Sequence, residues 1–154
     1  MSAEAGLNED FLDLLRALDG ARADYVVVGA YALAVHGIPR ATGDIDILVR
    51  PAADNAARVH AALLRFGAPL AAHGIEAAAF ETPDVVYQLG LPPRRIDLLT
   101  SISGVAFEEA IGTAVVLEIA GLRVPFLGRE ALLRNKRAAG RDKDLLDVKL
   151  LEGE

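Results

Sequence analysis

Residues 28–33 read Val-Gly-Ala-Tyr-Ala-Leu and residues 40–49 read Arg-Ala-Thr-Gly-Asp-Ile-Asp-Ile-Leu-Val, and these stretches decide the fold. The first places a glycine turn between an apolar run and a short helix. The second is typical of a β-strand in which acids alternate with isoleucines, so Asp44 and Asp46 are expected on one face, about 6.5–7 Å apart along the backbone. Two neighbouring carboxylates repel each other unless a cation lies between them. The pattern therefore favours a divalent metal site of the kind that acts on phosphates.

A third acid, Asp97, lies within the otherwise apolar strand pattern of residues 96–99. A lone carboxylate in such a strand is unfavourable, so we expect something to compensate it. Three carboxylates from two strands can hold two Mg²⁺ ions, because Mg²⁺ takes hard oxygen ligands and keeps phosphate oxygens in its shell. In such a site Asp44 and Asp46 would bridge both ions, and Asp97 would hold the ion beside the attacking hydroxyl.

The composition is that of a folded domain. The chain has 154 residues, 53% of them hydrophobic and 25% charged, which predicts one domain with a core of its own. The absence of cysteine excludes disulfides and thiolate metal sites. No apolar run reaches the roughly 18–20 residues of a membrane span, and the first residues lack a signal-peptide pattern, so we expect a cytoplasmic protein without a membrane partner. The formal net charge of −6 disfavours general affinity for nucleic acid but leaves room for a local basic patch.

Hydrophobic periodicity and turn residues predict alternating helices and strands, and hence an α/β (α+β) fold with a mixed sheet. Residues 67–84 have no decisive period. The predicted elements are a helix from the cap Asn8 to Gly20, a strand over 25–28, a helix over 30–36, a strand over 44–49, a helix capped by Asp54, strands over 85–89 and 96–99, a helix over 107–111, a hairpin of 115–119 and 122–126 around Ala120-Gly121, and a helical segment over 129–151 with a break near Gly140.

These motifs together resemble the DNA polymerase beta-like nucleotidyltransferase superfamily, in particular its small bacterial members related to abortive-infection (AbiEii-type) toxins. The residues that carry the resemblance are Gly29-Ala30, Arg40-x-Thr42-x-Asp44-x-Asp46, Asp97, Asn135-Lys136-Arg137 and Arg141-x-Lys143-Asp144-x-x-Asp147. The resemblance implies a single nucleotidyltransferase-like domain over 1–154, with a core of about residues 20–127 and C-terminal helices of about 128–152.

The resemblance also implies an activity and a set of site residues. The activity is transfer of a nucleoside monophosphate from an NTP to an acceptor hydroxyl, with two Mg²⁺ ions as cofactors. Asp44, Asp46 and Asp97 would be the catalytic and metal-binding residues. The nucleotide would be bound by Gly29, Ala30, Arg40, Thr42 and Lys136. The acceptor stays open between an RNA 3′ end, a protein and a small molecule, and a toxin role would add a cognate antitoxin as partner.

Two other functions compete with this interpretation. Ala30 stands where the family usually has Gly or Ser, which favours a non-catalytic module that binds a nucleotide or a partner on the same fold. A transferase that modifies small molecules such as antibiotics is the third possibility, although the chain is short for an added substrate domain. A plain structural interpretation also exists for the acid pair, as an exposed strand start neutralised by Arg40 or Arg50.

Six basic residues lie within fifteen positions near the C-terminal end. At helical spacing they would form two faces, one of Arg134, Arg137 and Arg141 and the other of Arg129, Lys136 and Lys143. A solvated helix with Asp144 and Asp147 as local partners is the alternative, and Arg141 and Asp144 are expected to form a structural pair. His36 is predicted to be a packing or capping residue, and Tyr31 either stacks on a base or packs in the core.

Overall fold

The structure is a computed structural model that describes residues 7–39 and 43–153. Six strands form one sheet, with helices on both faces. The elements in chain order are α1 (Glu9–Gly20), β1 (Tyr25–Val28), α2 (Gly29–Val35), β2 (Ile45–Val49), α3 (Ala53–Phe66), a 3-10 helix (Ala77–Phe80), β3 (Val86–Leu89), β4 (Ile96–Leu99), α4 (Phe107–Gly112), β5 (Val115–Ile119), β6 (Leu122–Phe126), α5 (Arg129–Ala139) and α6 (Asp142–Leu151).

The sheet has the strand order β3-β4-β2-β1-β6-β5 and is mixed. The β2–β4 and β1–β6 pairs are parallel, whereas β1–β2, β3–β4 and β5–β6 are antiparallel. The mixed sheet flanked by helices confirms the predicted fold class. Because β2 and β4 are neighbours, their residues meet across the ladder although about fifty positions separate them in the sequence.

The sheet divides the core into two layers, and this division positions the site. Alternate residues of β2, Ile45, Ile47 and Val49, are buried in the layer that includes side chains of α1 and α3. The opposite face contributes Leu48 to a second buried cluster with side chains of α2, α5 and α6. Since side chains alternate along a strand, Asp46 lies on this second face, beneath the C-terminal helices.

Most predicted elements are present within one or two residues of their predicted ends. Asn8 caps α1, because its side chain accepts a hydrogen bond from the Phe11 N–H at 2.9 Å. The β5–β6 hairpin turns at Ala120 and Gly121, whose φ values of 52° and 81° suit a tight primed turn. The predicted cap of α3 is wrong: the helix begins after Ala52, without a side-chain cap. Asp54 lies in the first turn instead, where Arg50 binds its carboxylate at 2.8 Å.

The predicted basic faces of the C-terminal segment are also wrong. Gly140 has a φ of 67° and ends α5, so Arg141 and Lys143 belong to a separate helix and do not continue the faces of α5. Arg50, a proposed partner of the acid pair, binds Asp24 and Asp54 instead. Arg40 and Thr42, which are predicted to bind the nucleotide, lie outside the described residues. Across residues 7–39 and 43–153, no helix is both long and apolar enough to cross a bilayer.

Candidate active site

The three predicted carboxylates meet at one place on the sheet. Asp46 of β2 and Asp97 of β4 are direct partners in the parallel ladder, so their side chains lie side by side on the same face. Asp44 immediately precedes β2 and accepts a hydrogen bond from the Arg95 N–H at 3.0 Å through its Oδ1. Strand pairing therefore brings Asp46 and Asp97 together, and Asp44 joins them through its contact with Arg95.

Arg95 lies among these acids. Its Nε donates to Asp97 Oδ1 at 2.9 Å and its terminal nitrogen donates to Asp97 Oδ2 at 3.2 Å, which makes a two-point ion pair. The same guanidinium is 3.7 Å from Asp44 Oδ2. The sequence pattern suggested a compensating group for Asp97, and Arg95 supplies it. Arg95 was missed as a site residue, although its position two before Asp97 places both side chains on one strand face.

The environment of Asp46 favours its protonated form. Burial, followed by the negative charge of Asp97, raises the pKa of Asp46 to about 6, while Arg95 acts in the opposite direction. A carboxylate with a raised pKa next to other carboxylates is a physical sign of a site suited to a cation.

Gly29 begins α2 directly against this cluster. Its φ of 68° lies in the left-handed region that glycine adopts readily. A Cβ at this position would collide with the carboxylate of Asp46. Glycine therefore serves two purposes here: it allows the tight strand-to-helix turn and lets the backbone approach the acid.

A second charged network joins α5 to α6. The Lys136 ammonium lies 3.5 Å from Asp144 Oδ1 and 3.3 Å from Asp147 Oδ2, and only 12% of its side chain is exposed. Burial outweighs the attraction of Asp144 and lowers the pKa of Lys136. The predicted pair of Arg141 and Asp144 is confirmed, with Nε and Oδ2 at 2.6 Å. Burial alone would raise the pKa of Asp144, but its hydrogen bonds to Arg141 hold that pKa below the usual value.

Residues of both networks line one cleft of about 620 Å³. The carboxylates, Arg95 and the Gly29 turn form one part, and the α5–α6 joint forms the other. Lys143 also lines the cleft, as do Ala30, Leu33 and Leu146. The volume falls within the range of about 300–1,000 Å³ that is common for small-molecule sites.

Of the predicted site residues that the structure describes, Gly29, Ala30, Asp44, Asp46, Asp97 and Lys136 all border this cleft. The charged residues of the cleft that the prediction did not assign to the site are Arg95, Arg141, Lys143 and Asp147. Asp147 stands three positions after Asp144, on the same side of α6, and this spacing is the signal that could have identified it.

The other candidate residues have structural partners. His36 Nε2 lies 2.8 Å from the Leu127 carbonyl oxygen, which agrees with a packing role. His73 Nδ1 lies 2.8 Å from the Tyr87 hydroxyl. The Tyr31 hydroxyl donates to the Gly43 carbonyl at 3.3 Å, and its ring packs edge-on against Phe11. Tyr31 therefore packs against the core and ties α2 to the segment just before β2.

Comparisons with known proteins give little identification. No protein-family model and no curated protein matches the chain. Among solved structures, the chain is similar to an antigenic nucleotidyltransferase-like protein from Paracoccidioides brasiliensis, with 17% sequence identity and a TM-score of 0.48. The match covers 94% of this chain and 77% of that one. Similarity at this level carries no conclusion about activity, so the function has to be argued from the cleft itself.

Proposed function

We propose that the chain is a metal-dependent nucleotidyltransferase that moves a nucleoside monophosphate from an NTP to an acceptor hydroxyl. The observation that carries the proposal is the pairing of Asp46 with Asp97 on adjacent parallel strands, with Asp44 just before β2 and the Gly29 turn beside them. The resemblance to the DNA polymerase beta-like superfamily rests on the same residues. Carboxylates grouped in a cleft of NTP size suit phosphoryl-transfer chemistry.

The donor set fits Mg²⁺. Asp44, Asp46 and Asp97 offer only hard oxygen ligands, and the raised pKa of Asp46 indicates a site that gains from a cation. As they stand, the described residues hold no three acidic or histidine side chains in a chelating arrangement. Asp44 and Asp46 would hold both ions and Asp97 the ion nearer the acceptor. Bound Mg²⁺ supplies stabilisation of the charge that develops on the entering and leaving oxygens.

The remaining residues of the cleft bind and orient the substrate. Gly29 brings the backbone close to the acids, so the N–H groups of the turn can hold phosphate oxygens where larger residues would block them. Lys136 presents a positive charge from the opposite side, held in place by Asp144 and Asp147. A point charge fixed by buried carboxylates suits a triphosphate. Asp97 positions the acceptor hydroxyl.

The acceptor and the biological role are part of the same proposal. An RNA 3′ end, a protein side chain and a small molecule each offer a hydroxyl, and a toxin paired with an antitoxin is the role that the resemblance suggests. The net charge of −6 mildly disfavours a large RNA surface. Cytoplasmic location remains a prediction.

Two observations favour a second candidate, a nucleotide-binding module without chemistry. Ala30, in place of the usual Gly or Ser, narrows the approach to the turn, and Arg95 already neutralises Asp97. Such a module would bind NTP but would have no turnover to lose.

The test uses α-labelled NTPs with cell-derived RNA and protein, for wild type and Asp97→Asn. For a transferase, label appears on a macromolecule with wild type and is lost with Asp97→Asn, while NTP affinity changes little, because Asp97 acts mainly in the transition state. Glu118→Gln, an exposed acid on β5, is the matched control and retains labelling. NTP binding without label from any NTP would favour the non-catalytic module.

A further inference from the structure

Arg95 binds carboxylate oxygens of Asp97 and Asp44, two of the three acids of the proposed metal site. Its Nε and terminal nitrogen contact both oxygens of Asp97, at 2.9 and 3.2 Å. Its terminal nitrogen and its backbone N–H also reach the two oxygens of Asp44, at 3.7 and 3.0 Å. One residue therefore bridges carboxylates on either side of the β2–β4 ladder. Only 31% of its side chain is exposed, and it lies on the cleft side.

No other described cation has an ion pair with these acids at such distances. Lys136, which also lines the cleft, is held by Asp144 and Asp147, and Arg141 is held by Asp144. Clustered carboxylates need a compensating positive charge in a partly buried site. Within residues 7–39 and 43–153, Arg95 supplies that charge from its own strand.

A guanidinium and a divalent ion compete for the same carboxylate oxygens. Mg²⁺ needs its oxygen ligands at about 2.0–2.1 Å, whereas the guanidinium occupies the paired edge of Asp97 at hydrogen-bond distance. The two positive charges also repel each other at this separation. We propose that Arg95 is the resident counter-cation of the carboxylate cluster, and that a divalent metal ion binds by displacing its guanidinium from Asp97. The inference rests on the metal site of the proposed function.

In this arrangement, Arg95 sets the affinity of the carboxylate cluster for a divalent metal ion. In wild type, part of the free energy of metal binding is used to break the ion pairs with Asp97 and Asp44. Arg95→Gln removes that competition and one nearby positive charge, so it should bind Mn²⁺ more tightly. Arg95→Lys keeps the charge but loses the two-point ion pair, so its Mn²⁺ affinity should lie between those of wild type and Arg95→Gln. The exposed neighbour Arg94 provides the matched control, Arg94→Gln.

The experiment is a Mn²⁺ titration by calorimetry and by electron paramagnetic resonance, without nucleotide. Arg95→Gln is expected to lower the Kd for Mn²⁺ about tenfold or more, with Arg94→Gln equal to wild type. Adding Asp97→Asn to Arg95→Gln should remove the gain. In metal-free buffer, Arg95→Gln should melt at a lower temperature than wild type, and saturating Mn²⁺ should reduce this difference.

A second measurement follows the ion pair of Arg95 in the wild-type protein itself. In ¹⁵N-labelled wild type, the Arg95 Nε–H resonance, assigned by its loss in Arg95→Lys, should shift or broaden as Mg²⁺ is added, because its partner Asp97 is taken by the ion. Mn²⁺ binding that is equal or weaker in Arg95→Gln would overturn the counter-cation role and leave the metal site intact. An Nε–H resonance of Arg95 that stays unchanged at saturating Mg²⁺ would also overturn the counter-cation role. Absence of Mn²⁺ binding in both proteins would overturn the metal site, and with it both proposals.

Discussion

Gly29 is the residue at which backbone conformation and site chemistry meet. An alanine there would take a left-handed φ of 68° and would press its Cβ against the Asp46 carboxylate. Gly37 is the matched control, because its φ of 91° is equally unfavourable for alanine but nothing lies within 4 Å of the added Cβ. Both substitutions should lower the free energy of unfolding by about 1–2 kcal/mol through backbone strain.

The two alanine variants should differ at the site. Gly29→Ala displaces the Asp46 carboxylate, so it should weaken Mn²⁺ binding and abolish labelling, while Gly37→Ala should retain both. Urea denaturation gives the stability of each variant and calorimetry gives its metal affinity. Equal Mn²⁺ affinity in the two variants would mean that Asp46 does not contribute a ligand.

The raised pKa of Asp46 makes the stability of the metal-free protein depend on pH. The folded state holds this pKa near 6, above the ordinary value of 3.8, so the folded protein binds the proton more strongly. This contribution to stability is fully present below about pH 4 and is lost as the pH rises through about 6, with a size of about 1–3 kcal/mol.

Urea denaturation in chelator at several pH values between 4 and 7 tests the effect. The stability of wild type should fall relative to Asp46→Asn as the pH rises, since the amide carries no titrating group. Above pH 6 the variant should be the more stable protein without metal, because a repelling charge has been removed. A difference that is constant over this range would show that Asp46 titrates as an ordinary carboxyl.

At the scale of elements, the α5–α6 joint holds the basic side of the cleft. Asp144 is fully buried and pairs with both Lys136 and Arg141. Asp144→Asn leaves these two cations with a neutral partner, and breaking a buried ion pair of this kind should reduce the free energy of unfolding by about 2–4 kcal/mol. Asp142→Asn is the control on the same helix, because Asp142 is exposed and should change stability by less than about 0.5 kcal/mol.

The contacts between α5 and α6 should also affect NTP binding. Since Asp144 fixes Lys136 toward the cleft, Asp144→Asn should weaken NTP binding as well as the fold, and it should affect Mn²⁺ binding less than NTP binding. Fluorescence titration with an NTP analogue measures the NTP affinity, and calorimetry measures the Mn²⁺ affinity. Unchanged NTP affinity in a folded Asp144→Asn protein would assign this network a purely structural role.

Local patterns predicted the elements well where one physical signal dominated. Alternation identified β2 and β4, and the break at Gly140 followed from its position between two helical patterns. The sequence pattern predicts Asp54 as a cap, but α3 begins one residue earlier, at Ala53, so Asp54 lies in the first turn and binds Arg50. Residues 67–84 form turns and a short 3-10 helix, which leave no periodic signal.

At the scale of the whole molecule, the site depends on pairings that local sequence does not encode. The alignment of Asp46 with Asp97 follows from the position of β2 between β1 and β4, which is set by tertiary packing. The position of Lys136 opposite the acids follows from the packing of α5 and α6 over the second face of the sheet. The carboxylates were predictable as residue types, whereas the ion pairs of Arg95 and Lys136 required the three-dimensional arrangement.

Because both sides of the cleft come from different parts of the chain, a bound ligand should stabilise the entire fold. At an NTP concentration of about 100 times Kd, binding adds about 2.7 kcal/mol to the free energy of unfolding. For a domain of this size, that gain corresponds to a rise in melting temperature of about 5–10 °C. Most of the rise should require Mg²⁺, since the triphosphate meets three carboxylates that repel it without a metal ion.

A thermal melt with each of the four NTPs, with Mg²⁺ or with chelator, measures this stabilisation and identifies the preferred base. Asp46→Asn should lose the Mg²⁺-dependent part of the shift, and Glu118→Gln, far from the acids on the edge strand β5, should keep it. The matching nucleoside without phosphates should give little stabilisation, because the charged groups of the cleft then have no partner. An equal shift in chelator and in Mg²⁺ would place the nucleotide away from the carboxylates and would contradict a metal-dependent transfer at this cleft.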